Sequence, residues 1–207
     1  MKTKKHQSVT VISILITVSF FLLWGNSYSQ ETGSFKDKRD GNMYQWVKLG
    51  NKVWMAENLK YLVPAGCWAY ENDSANATGF GYLYDWTAAQ MACPKGWHLP
   101  SAGEFEMLIE TLGGDSIAGS KLQEMDTLLW RQNDSLSGNR IENFPLLGGT
   151  RHNDAAFVGI KIWGGLWSAS LDVVGDPINY LFARGNRNIT KSSNNQSSGF
   201  AVRCIRK

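Results

Sequence analysis

Lys2, Lys4 and Lys5 precede an apolar run from Val9 to Trp24, and Gly25, Asn26 and a short polar exit come after it. Basic, apolar and polar segments in that order form the pattern of a cleavable secretory signal peptide. No other feature limits the fold as strongly, because it takes residues 1–29 out of the folded domain and sends the rest to an oxidising compartment. Ser27 and Ser29 put small side chains where cleavage before Gln30 needs them. The run contains Thr10, Ser13, Thr17 and Ser19 and is short against the roughly 20 residues of a spanning helix. No Cys near the exit offers a lipid-attachment site. The expected location is secreted or cell surface, with no stable membrane insertion after cleavage.

Three cysteines lie beyond the leader: Cys67, Cys93 and Cys204. In an oxidising compartment one disulfide is expected and one thiol is left over. Cys93–Cys204 is the favoured pair, since Cys93 follows a helical segment and Cys204 closes the last strand. Charge reads differently once the leader is gone. Taking its three lysines from 21 basic residues leaves 18 against 18 acidic ones, so the mature chain is neutral. The whole-chain pI of 8.7 therefore gives no reason to expect a nucleic-acid partner. Removing 29 of 207 residues leaves 178, enough for one domain with a proper core.

Residues 30–39 are polar with one Phe and read as a flexible lead, so the domain is expected over 40–207. Met43–Leu49 and Lys52–Met55 flank Gly50-Asn51 and predict a β-hairpin. Residues 82–92 have helical composition and stop before Pro94. Ser101 with Glu104 is a capping box ahead of Phe105, Leu108, Ile109 and Leu112 at helical spacing, ended by Gly113-Gly114. A third short helix is expected over 117–125. Short apolar runs at 166–169, 178–183 and 200–205 predict strands. An opening hairpin, two to three helices and a C-terminal antiparallel sheet with long loops make an α+β domain.

Catalytic and metal motifs are sparse. The mature chain has His98 and His152 but no nucleophile elbow, no H-E-x-x-H and no C-x-x-C. His98 reads as a hydrogen-bonded core residue and His152 as a surface residue in a loop. Residues 37–42 hint at a calcium loop, yet lysines stand where oxygen ligands are needed, so the segment reads as a turn. No catalytic residue, metal or cofactor is expected. Aromatics are abundant, and Trp54, Trp86, Trp97 and Trp167 are read as core. Trp68, Tyr70 and Trp163 lie among Gly and polar residues and are expected to be exposed ligand contacts. The polar stretch 185–198 reads as a solvated loop that offers Asn186 and Asn188 as further contacts.

Asp followed by Ser or Thr and an aliphatic or small residue recurs at Ser74, Ser116, Thr127 and Ser135. Composition alone predicts roughly half an occurrence, and the pattern resembles an O-glycosylation acceptor of exported bacterial proteins. The same pairs also make good turns and helix caps.

Residues 40–61, 66–76, 92–108, 147–151, 166–170 and 199–207 together resemble the Fibrobacter succinogenes major paralogous domain, with W-M-A-E-N-L and G-W-H-L-P-S as the specific strings. The resemblance implies an exported bacterial protein of unassigned biochemical role with a C-type lectin-like fold. Its cysteine-bearing strings fall on Cys93 and Cys204, while Ala77 stands where some members have a further Cys. The calcium-and-sugar strings of true C-type lectins are missing. A non-catalytic binding module for an unknown glycan or surface protein is therefore expected. The alternatives are an oxidase of the formylglycine-generating type, whose fold is related, and a structural component of the envelope.

Overall fold

The computed structural model describes residues 30–133 and 145–206, with side chains given for all but 126–133 and 145. The leader expectation and Ser135 lie outside the described residues.

The chain opens with β1 (Thr32–Lys36), β2 (Met43–Leu49) and β3 (Lys52–Met55), all antiparallel neighbours. The hairpin read from Gly50-Asn51 is present, with Leu49 opposite Lys52 and Gly50 at φ 60°. The flexible lead is a correction: residues 32–36 are the edge strand of a five-stranded sheet. Its one Phe explains why, since Phe35 stacks on Trp97 at 4.5 Å and on Tyr44 at 5.5 Å. The turn read over 37–42 joins β1 to β2 and closes on an ion pair between the partly exposed Arg39 and the buried Asp37. Asp37 takes both prongs of the Arg39 guanidinium, with Nη2–Oδ2 at 2.7 Å.

Next come β4 (Cys67–Trp68), a 3-10 turn at Tyr70–Asn72, α1 (Ser74–Phe80), β5 (Leu83–Tyr84) and α2 (Trp86–Ala92). The helix expected over 82–92 begins only at Trp86. Asp85 supplies the cap, accepting from Ala88 N–H at 2.7 Å, which frees the preceding residues to pair with β4. After β6 (Trp97–His98) comes α3 (Ala102–Thr111), with the capping box in place. The third helix, α4 (Asp115–Asn133), extends past 117–125 at both ends.

The second half carries a 3-10 turn at Pro145–Leu147, β7 (Thr150–Arg151), β8 (Phe157–Val158), β9 (Trp163–Leu171), β10 (Pro177–Ala183), β11 (Thr190–Ser193) and β12 (Ile205–Arg206). Strands β11, β10 and β9 form a three-stranded sheet, and β12 lies between β3 and β6 in the first sheet. The solvated loop expected over 185–198 therefore needs correction. Main-chain bonds to β10 let polar Thr190–Ser193 join a sheet edge without burying their side chains, and Ile189 beside them is buried in the core.

Residues 198–204 link the two sheets. They are extended, as expected, but change partners: Phe200 pairs with Tyr84, Ala201 with Leu166, and the carbonyls of Val202 and Cys204 accept from Leu59 and Met55. Period-two alternation sends Phe200, Val202 and Cys204 into one apolar cluster and Ala201 and Ile205 into the other. Cys93 and Cys204 are joined, closing α2 onto this segment with Cα atoms 5.9 Å apart. The architecture is α+β with antiparallel sheets.

Candidate functional site

Of the aromatic residues expected to face a ligand, Trp163 is the one left open, at 46% exposure. Its ring is nonetheless fixed. The N–H groups of Ile162 and Trp163 both donate to the Gly159 carbonyl, at 2.9 and 2.8 Å. Gly159 sits at φ 81°, and a Cβ there would overlap the indole. The indole Nε1 donates to the Val158 carbonyl at 3.3 Å. A ring that is held along one edge and half exposed has lost rotamer freedom before any ligand arrives.

Beside it lies a pocket of about 350 Å³ between β7, the three-stranded sheet and the 198–200 segment. Strand β10 builds its floor. Ile178, Tyr180 and Phe182 belong to the cluster where Tyr180 stacks on Phe105 at 4.2 Å, and Phe182 also reaches the pocket wall with Leu181 and Ala183. Thr190 and Asn194 of the β11 edge, Asn186 and Ser198 add hydroxyl and amide groups, while Phe200 adds apolar surface. Asn194 Nδ2 donates to Oδ1 of the buried Asn179 at 2.8 Å, and the Asn179 Nδ2 has no partner among the described residues.

Arg151 and His152 complete the wall. The Arg151 main chain exchanges both hydrogen bonds with Gly199, at 2.9 and 2.7 Å. Its guanidinium lies 4.0 Å from the centre of the Trp68 ring and 5.9 Å from that of Phe157. No Asp or Glu lines the pocket. The arrangement suits stacking and hydrogen bonding to a ring-shaped polar ligand.

The other expected contacts distribute unevenly. Trp68 stands behind Arg151 and reaches the site through it. Tyr70 is a correction: at 6% exposure it is buried against Phe157, ring centres 5.4 Å apart, and a Cβ on Gly149 would strike its ring. Asn186 lines the pocket, and its Oδ1 accepts from Asn188 N–H at 3.0 Å. Asn188 is exposed and outside the wall, its carbonyl lying against Gly119 of α4. Thr190 and Asn194 fall within the polar stretch 185–198 that the sequence offers for ligand contact, whereas Arg151 and Phe200 are missed because nothing local distinguishes them.

Among the groups with shifted chemistry elsewhere are Glu104 and Cys67. Burial raises the Glu104 carboxyl, but hydrogen bonds from Ser101 N–H and from His98 Nε2 outweigh it and hold it below its ordinary value. His98 is half-buried by that contact, at 3.0 Å, and its buried Nδ1 has no partner among the described residues. Cys67 is half-buried, and its thiol donates to the Val63 carbonyl at 3.4 Å. Burial, with Asp85 nearby, pushes that thiol up and away from thiolate chemistry. No cluster of metal-ligating side chains occurs among the described residues, and no helix among them is long and apolar enough to cross a membrane.

Fold and site together define an α+β domain with a disulfide from α2 to the segment that links its sheets and a pocket beside an exposed, fixed tryptophan. The chain belongs to the Fibrobacter succinogenes major domain family, whose model matches residues 47–206. No curated protein and no solved structure matches it.

Proposed function

We propose that this chain is an exported, non-catalytic binding module that holds a glycan in the Trp163 pocket. The observation that carries the reading is the fixed, half-exposed indole beside a cavity edged by amide and hydroxyl side chains. Sugar rings present an apolar face for stacking and a rim of hydroxyls for hydrogen bonding, which is the chemistry this wall offers. A glycan screen on the purified chain tests it. Trp163→Ala should cost at least about tenfold in affinity, and equal binding by both proteins would remove the pocket from the reading.

The fold proposed with this function is C-type lectin-like. It is supported by N- and C-terminal strands meeting in one sheet and by a bridge from α2 to the end of the chain. Secretion or cell-surface display is proposed from the leader, and a long-range disulfide fits that compartment. An oxidase of the formylglycine-generating type needs a cysteine pair for its metal. With Cys93 and Cys204 joined, Cys67 stands alone.

O-glycosylation belongs to the same proposal. Ser74 and Ser116 are exposed in the first turns of α1 and α4, and Thr127 lies in α4 where side chains are not described. The local alternative is concrete at Ser74, because Asp73 caps α1 by accepting from Ala75 N–H at 2.9 Å. An intact mass of the exported chain should exceed that of the bare polypeptide, and equality would discard the modification.

A further inference from the structure

Charge within the pocket is one-sided. Among the described residues, Arg151 and His152 are the only titratable ones on its wall. The nearest carboxylate along the chain, Asp154, lies outside the wall and accepts from Ala156 N–H at 3.0 Å. Arg151 is half-buried and, among the described residues, pairs with no carboxylate. Its other contacts are aromatic, and they hold the guanidinium plane without satisfying its N–H donors. A planar fork of donors, partly withdrawn from water and left without an acceptor, is a ready partner for a carboxylate.

From this we infer that the glycan bound at this site carries a carboxylate, as in a hexuronic acid, with the acid group on Arg151 and the sugar ring against Trp163. The inference rests on the proposed glycan pocket and narrows it to acidic sugars. The cavity stands near the lower end of the usual range of roughly 300–1,000 Å³ for ligand pockets, which fits a short terminal segment better than a long chain laid across the surface. His152 adjoins Arg151 at the exposed rim and offers a second polar contact. Asn186, Thr190 and Asn194 then face the ring hydroxyls.

The test uses the full chain purified from an exporting host and titrated by calorimetry. The probes are galacturonate, glucuronate and mannuronate oligosaccharides, their carboxyl-reduced counterparts and a sulfated oligosaccharide. At least one acid should bind about tenfold or more tightly than its reduced form, as expected for a charge-assisted pair. Arg151→Gln should erase that difference, lowering the acid's affinity by more than it lowers that of the reduced sugar. Arg151→Lys, which keeps the charge and loses the fork, should retain part of it, and unfolding midpoints identify any variant that fails to fold. Equal binding of acid and reduced forms, with Trp163→Ala weakening both, would overturn the carboxylate and leave the pocket reading standing. Preference for the sulfated probe alone would also overturn the carboxylate, assigning the anion to sulfate. Binding of none of these probes would overturn both.

Discussion

Single residues set the pocket's character. Gly159 is the clearest case, because its positive φ and its contact with the Trp163 ring both exclude a side chain. Gly159→Ala should cost about 1–2 kcal/mol from the left-handed backbone alone and also move the indole. Its expected signature is a lowered unfolding midpoint together with altered tryptophan fluorescence and weakened glycan binding. A variant with native fluorescence and native binding would show that the ring does not depend on this seat. The sequence shows Trp163 among glycines, which correctly suggests an open aromatic. Tyr70 stands in similar polar company and is buried, since Gly149 and Phe157, distant along the chain, close over it.

Among the elements, the capping box of α3 joins local sequence to acid stability. Glu104 closes the box on Ser101, bonds His98 on β6 and approaches Lys52 of β3 at 3.4 Å. Glu104→Ala should destabilise the fold by about 1 kcal/mol for the lost hydrogen bond to Ser101 N–H alone, measured by denaturant unfolding. Its folded value lies below the ordinary 4.5, and that of Asp37 lies below 3.8, where burial raises it but the Arg39 bonds prevail. A carboxyl with a depressed folded value binds its proton more readily in the unfolded chain. Both contributions are therefore present above those ordinary values and fade as pH falls through the folded ones. Unfolding midpoints should drop as pH is lowered below about 4.5. The drop should be smaller in Glu104→Gln, and an unchanged acid profile in that variant would assign the sensitivity elsewhere. The α3 capping box and the first hairpin are legible in the sequence because they rest on hydrogen bonds between near neighbours, whereas the Asp85 cap of α2 is not, its helix being expected from residue 82. Strands of two residues, such as β4 and β7, leave no such pattern.

At the scale of the whole molecule, the bridge from Cys93 to Cys204 ties α2 to the segment on which both apolar clusters meet. A closed loop of 111 residues implies about 4–5 kcal/mol in the chain-entropy account of disulfides. Reduction, or Cys93→Ala with Cys204→Ala, should lower the unfolding midpoint strongly, whereas Cys67→Ala should leave it nearly unchanged. Thiol titration of the oxidised protein should find Cys67 alone, and a second reactive thiol would contradict the pairing. The family, the α+β class and the α3 capping box were written in residue types and short spacings, and the favoured cysteine pair in the small number of cysteines and the segments that carry them. The joining of residues 32–36 to a sheet, the conversion of a polar stretch into β11 and the meeting of Trp68, Arg151, Trp163 and Asn194 required the folded chain. Those contacts depend on strand register and on the partner-switching path of residues 198–204, both fixed by how two cores close together and not by any neighbour in sequence.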